Sequence, residues 1–295
     1  PIRAAAERCA RLDLCWWSER SVFDANVRTC VLGFATGQPV TGSVRRFQGT
    51  DASPVAPVAR PLGPSNAAGE TSWGWLVADA LGVPAVDLGA PAATLGDIAT
   101  PTADFRDQYY GLVGSVFDDG DGAPLITSGL IDAGICRWGA ASTTFAKVRY
   151  TAPRVRLDLL DPSLRAWASS RLVPKVLVAS QTRAVEAVVD ERGEWIPSVP
   201  VISVVPVAVA DLWLIAAVLT SPVASAWLAS QRAGTGLSVR SIRVTARDLA
   251  RLPLPVDLRA WGTAADALRA GGVLGCGREM MRAYGLNDRD DLYDW

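Results

Sequence analysis

Alternation of apolar and polar positions predicts most of the strands in this chain. Cys30, Leu32 and Phe34 alternate with Thr29, Val31 and Gly33, which predicts a strand from Val27 to Phe34 that ends at the turn Gly37-Gln38-Pro39. A short helical stretch, Pro1 to Leu12, and an apolar segment, Leu12 to Trp17, precede it, and Ser43 to Phe47 offers a hairpin partner. Further strand patterns fall at Ala123–Thr127, Thr143–Tyr150, Val155–Leu159, Val173–Ala179, Ala184–Asp190 and Val199–Val205. The turn Glu191-Arg192-Gly193-Glu194 joins two of these as a hairpin. Helices are predicted at Trp73–Leu81, Asp104–Val113, Asp211–Thr220, Ser221–Gln231 and Thr245–Leu252, followed by a helical tail over 256–295. Residues 49–70, rich in Ala, Pro, Gly and Ser, read as a linker or ordered crossover. Strands grouped between helices make 71–255 an α+β domain with a mixed sheet.

The composition narrows the chemistry. The chain has 295 residues, 49% of them hydrophobic and 20% charged, enough for a substantial core. It contains no His, which removes Ser-His-Asp and Cys-His catalysis, His-ligated zinc and His-based pH switching. Its five Cys are odd in number and none are spaced as CxxC, so they read as reduced thiols of a cytoplasmic protein. Residue 1 is Pro rather than Met, so the start is expected to be processed or to continue from a longer chain. The first residues carry Arg3, Glu7, Arg8 and Arg11 and do not form a signal peptide. From Ile196 to Gln231 the only charge is Asp211, but four prolines interrupt that run, which reads as buried strands and a buried helical pair rather than a membrane span.

The net charge of -1 hides an asymmetry. Nine basic residues face two acidic ones between Arg137 and Arg183, and five face one between Arg232 and Arg251. Two basic blocks in a neutral chain suit a protein with one face on phosphates. Ordinary solvation explains part of this, since Arg154 and Arg156 lie at the strand period of two. The expected DNA contacts are Lys147, Arg149, Lys175, Arg183, Arg240 and Arg243. Gln181 and Arg183 add candidate base contacts, Gln to adenine and Arg to guanine. The loop Gly234-Thr235-Gly236-Leu237-Ser238 offers close backbone approach, with Thr235, Ser238 and Arg240 supplying polar groups, or is an ordinary connection between helices. There is no GxxxxGK[ST], GxGxxG or GxSxG, and the Asp-rich turn 118–122 lacks the Glu of a calcium loop. No catalytic residue and no metal ligand set is assigned.

Several stretches in order resemble a known family. They are LITSGLI at 125–131, PKVLVASQTRAVEAVVD at 174–190, DLWLIAAVLTSP at 211–222 with Ala226-Trp227 following, GTGLSVRSIRV from Gly234, and DLARLPLP at 248–255. The set resembles the target-recognition half of adenine-specific DNA methyltransferases of the restriction–modification type. In that family a PK(I/L) strand pair precedes a helix ending in LNS, and an (I/L)xxLP(I/L)P segment closes the domain. Here the helix ends Leu219-Thr220-Ser221, with Thr in place of Asn.

The resemblance implies an α+β recognition domain over 71–255, preceded over 1–48 by the last strands of a Rossmann-like α/β methyltransferase domain. Phe23, in Val22-Phe23-Asp24-Ala25-Asn26, matches the aromatic that stacks on the adenine swung out of the duplex; otherwise it is a core residue. The family's (D/N/S)PP(Y/F/W) tetrapeptide and Gly-containing cofactor loop are missing, and both would lie upstream of Pro1. The resemblance therefore implies sequence-specific recognition of double-stranded DNA. S-adenosylmethionine and methyl transfer would belong to a catalytic domain in cis or in trans. A stand-alone DNA specificity subunit and an adaptor unrelated to DNA remain as alternatives.

Overall fold

The structure, a computed structural model, describes residues 5–6, 9–20, 24, 29–37, 42–59, 73–236 and 241–295. It is mixed α+β and divides into two compact units. One holds Pro1–Ala85 with Ala229–Arg243, the other Val86–Leu228 with Val244–Trp295.

The first unit is built on β1 (Arg11–Trp17), β2 (Cys30–Ala35), β3 (Ser43–Gln48) and β4 (Ser53–Ala59), in the sheet order β2-β1-β3-β4. A bulge between Leu12 and Leu14 resets the period of two, so that Leu12, Cys15 and Trp17 all face the core with Val44 and Leu76. The guanidinium of Arg46 is buried and donates to Asp79, Ala56 O and Leu76 O, so no donor-rich group is left unpaired in that core. Ser43–Phe47 does not pair with the preceding strand as expected. β3 runs parallel to β1, and its hairpin partner is β4, which lies inside the stretch read as linker or crossover. Pro54 and Pro57 hid that strand. Both are tolerated because β4 is a sheet edge and its register with β3 shifts around Pro57. The helix expected at Trp73–Leu81 is instead two 3-10 turns, Gly74–Leu76 and Asp79–Leu81.

The second unit contains β5 (Ala99–Ala103), β6 (Val116–Phe117), β7 (Ala123–Ile126), β8 (Ile131–Asp132), β9 (Ile135–Cys136), β10 (Thr143–Phe145), β11 (Val148–Tyr150), β12 (Arg154–Val155), β13 (Lys175–Val178), β14 (Gln181–Thr182), β15 (Ala187–Asp190), β16 (Ile196–Pro197) and β17 (Ile202–Pro206). β15-β13-β17-β5 form an antiparallel sheet whose β13 is buried at every position. β16-β7-β12-β6 form a second sheet, with β16 parallel to β7. The helices are α1 (Leu95–Ile98), α2 (Arg106–Gly111), α3 (Pro162–Arg171), α4 (Leu212–Leu219), α5 (Pro222–Arg232, whose residues from Ala229 belong to the first unit), α6 (Ala246–Ala250), α7 (Leu258–Arg269), α8 (Val273–Ala283) and α9 (Asp290–Asp294). α4 packs on β13 and β15, and the Trp261 indole of α7 donates to Leu214 O of α4.

Two expectations change here. The turn at 191–194 does not join a hairpin; β15 pairs with β13, and the turn folds Glu194 N and Trp195 N back onto the Asp190 carboxylate. Thr143–Tyr150 is not one strand but a β10–β11 hairpin with the register Phe145↔Val148.

No single helix among the described residues is long and apolar enough to cross a membrane; α4 and α5 pass that test only as a pair, bent by 64°. The bend follows from sequence. Ser221 Oγ donates to Val218 O and accepts from Ala224 N, while Pro222 occupies the first turn of α5, where a missing N–H leaves no bond unmade.

Candidate nucleic-acid interface

The β10–β11 hairpin carries two exposed cations of the basic block, Lys147 and Arg149. Its turn residues Ala146 and Lys147 have φ of 48° and 67°, the pattern of a type I′ turn, whose twist matches that of the strands it joins. The hairpin is anchored from below. Phe145 is buried against the Tyr109 ring at 4.8 Å, Ala146 N donates to Tyr109 Oη, and the hydroxyls of Thr143 and Thr127 meet in the core. Period two then sends Ser142, Thr144 and Arg149 outward, with Lys147 exposed at the tip.

Lys147 sits where an L side chain is strained. Lys147→Gly should therefore leave stability unchanged or raise it by up to ~1 kcal/mol while removing one cation. Thermal melts give the first quantity, and the salt dependence of DNA binding gives the second. A loss of stability would show that the Lys stem contributes packing.

Arg183 is held outward by a second device. The Thr182 hydroxyl donates to Ala184 O, and Val185 N donates to Ser225 Oγ, so the short turn between them leaves Arg183 exposed. The other basic residues between 137 and 183 are committed within the protein. Arg137 pairs with Asp132, Arg156 with Asp158 and Arg171 with Asp104. Arg165 donates to the carbonyls of Leu157, Asp158 and Leu160; Arg154 donates to Gly122 O and stacks 4.6 Å over Trp138.

Lys175, expected to contact DNA, is a correction. It is fully buried, and its ammonium pairs with the equally buried Asp190. Burial holds its pKa below the ordinary value of 10.5, with Asp190 opposing that shift. It does not reach solvent, let alone a phosphate. Gln181 is partly buried, and its Oε1 has no hydrogen-bond partner among the described residues.

In the first unit, the Thr235 hydroxyl donates to Arg232 O at 2.6 Å and accepts from Arg243 N at 3.2 Å. Its donor closes the loop and is not available to a phosphate. Gly236 serves the same closure: a Cβ there would lie 2.0 Å from Ser241 O. Arg243 is exposed. Phe23, Ser238 and Arg240 lie outside the described residues.

The motifs behind the resemblance prove architectural. The PK strand supplies the buried Lys175. The Leu252-Pro253-Leu254 stretch clasps 93–95 through Leu95 N to Leu252 O and Leu254 N to Ala93 O, with Tyr284 Oη donating to Pro253 O. Sequence reasoning missed Ser142 and Thr144; their signal was the polar alternation through Ser142-Thr143-Thr144-Phe145.

No family model and no curated protein matches the chain. Solved structures do. The chain is similar to a structure described as the Type IIL restriction-modification enzyme MmeI in complex with DNA, at 11% identity and a TM-score of 0.42. The match covers 99% of this chain and 44% of that one, so the chain spans less than half the length of MmeI. A likeness this distant fixes neither fold nor function.

Proposed function

We propose that this chain is the DNA target-recognition part of an adenine-specific DNA methyltransferase of the restriction–modification type, acting in the cytoplasm. The observation that supports it most is the disposition of charge in the second unit. Lys147, Arg149 and Arg183 are exposed with no acidic partner among the described residues, whereas every other basic residue between 137 and 183 makes an ion pair or donates to a backbone carbonyl within the chain. Cations not already neutralised are the ones that release counterions from a duplex. In the first unit, the exposed Arg243 extends the same reading, and Arg240 is assigned to it from the sequence alone.

In this reading S-adenosylmethionine is held by a catalytic domain in cis or on a partner chain. The sequence lacks both the family's tetrapeptide and its cofactor loop, so the residues present do not fit the cofactor and no methyl-transfer step is assigned to them. The sheet β2-β1-β3-β4 would be the rim of that domain, and Phe23 would stack on an extruded adenine. A second reading is a specificity subunit without catalysis, which has no use for a stacking Phe23.

The test is an equilibrium titration of the chain on duplex DNA from low to moderate salt. Each phosphate contact predicts that log K falls by ~0.9 for each log unit of salt. Absence of binding, or a flat response to salt, would overturn the proposal.

A further inference from the structure

The geometry points to the β10–β11 hairpin as a ribbon that reads base edges, with Arg149 as the specificity-determining side chain and Ser142 as the residue that aims it. This rests on the DNA-recognition reading above and names which element of it carries sequence information.

Three observations carry the inference. The first is how Arg149 is held. Its Nε and Nη2 both donate to Ser142 Oγ, at 3.0 and 2.6 Å. That occupies the side-on edge of the guanidinium. The end-on edge, formed by Nη1 and the second N–H of Nη2, has no partner among the described residues. An end-on pair of parallel N–H groups matches the O6 and N7 acceptors of guanine in the major groove.

The second is the shape of the element. Among the described residues β10 and β11 pair only with each other, as a two-stranded ribbon. Paired strands lie about 4.8 Å apart, so such a ribbon with its side chains fits a major groove about 12 Å wide. The third is the division of labour across the ribbon. Thr144 lies directly opposite Arg149 and Ser142 diagonal to it, all on the outward face, while Thr143 and Phe145 are buried. Lys147 at the tip adds a charge without base information, which suits a phosphate.

A flexible surface arginine would contribute affinity alone. One held by a hydroxyl at two of its nitrogens is limited in orientation, which is what discrimination between bases requires. Ser142 is thus a positioning residue, and its effect should appear in selectivity rather than in overall affinity.

The experiment is selection of bound sequences from a pool of randomised duplex DNA, using the full chain and its Arg149→Ala, Ser142→Ala and Ser142→Thr variants. Salt titrations on bulk duplex run in parallel, with thermal melts to confirm folding. The wild type should enrich a site containing a G·C pair that Arg149→Ala no longer selects, its preference there falling by about tenfold or more. Ser142→Ala should weaken preference at that same pair while leaving the salt slope unchanged, and Ser142→Thr, which keeps the hydroxyl, should restore it. An unaltered consensus in Arg149→Ala or Ser142→Ala would overturn the inference and leave the DNA-recognition reading standing, whereas salt-dependent binding with no sequence preference would overturn the inference and the target-recognition reading with it. Failure of the wild type to bind any duplex would remove both.

Discussion

Asp190→Ala should be the most damaging single substitution in the second unit, lowering stability by about 3–5 kcal/mol. Lys175 and Asp190 face each other across β13 and β15 with side-chain exposures of 0% and 2%. Removing the carboxylate strands a charged amine in a strand buried at every position. It also removes the acceptor for Glu194 N and Trp195 N. Lys175→Met should cost less, because Asp190 keeps those two donors. Replacing both residues by apolar ones of similar size should recover much of the loss of Asp190→Ala, since a buried pair is weak support compared with good packing. Urea unfolding of the four proteins tests this; an Asp190→Ala protein as stable as the wild type would refute it.

The same pair sets a pH dependence. Burial depresses the Lys175 pKa in the folded chain below its ordinary 10.5, so between the two values the unfolded chain binds more protons. Relative to Lys175→Met, wild-type stability should therefore rise with pH through that window and level off above 10.5.

The second large effect concerns DNA. Removing Lys147, Arg149 and Arg183 together should weaken duplex binding by roughly tenfold for each lost phosphate contact near 0.1 M salt, and flatten the salt dependence by ~0.9 for each of them that meets a phosphate. Because all three are exposed and none is in an ion pair among the described residues, the triple variant should melt with the wild type. An equal loss of charge at Arg137, Arg156 and Arg165, which are already engaged internally, should change the salt slope far less. If both triple variants lose affinity equally, net charge rather than position governs binding.

The sequence made the long periodic elements legible. α4 and α5 appear where apolar runs flank Ser221-Pro222, and β7 and β13 where short apolar runs occur. It hid elements whose signals compete. β4 contains two prolines and reads as linker or ordered crossover; α3 has no counterpart among the predicted helices although Asp161 caps it and Pro162 opens it. The β10–β11 turn has neither Gly nor Asn at its positive φ positions, so the hairpin read as one strand.

For the site, charge counting found the basic block but could not separate exposed cations from paired ones. A Lys in a strand of apolar neighbours looks like a DNA contact until its partner, fifteen residues away, is seen beside it. Arg149 was legible as a cation; the hydroxyl that orients it was not, because the contact spans seven residues across a turn the pattern did not reveal.

The two faces of the β10–β11 ribbon also bear on how such a protein can change over generations. Thr143 and Phe145 point into the core, while Ser142, Thr144 and Arg149 point away from it. Outward positions that touch no core side chain usually shift stability by less than about 0.5 kcal/mol when substituted. Variation can thus accumulate at these three positions without passing through unfolded intermediates. A descendant that alters them would meet a new target while keeping the same scaffold, so the alternation that builds the hairpin also makes its recognition evolvable.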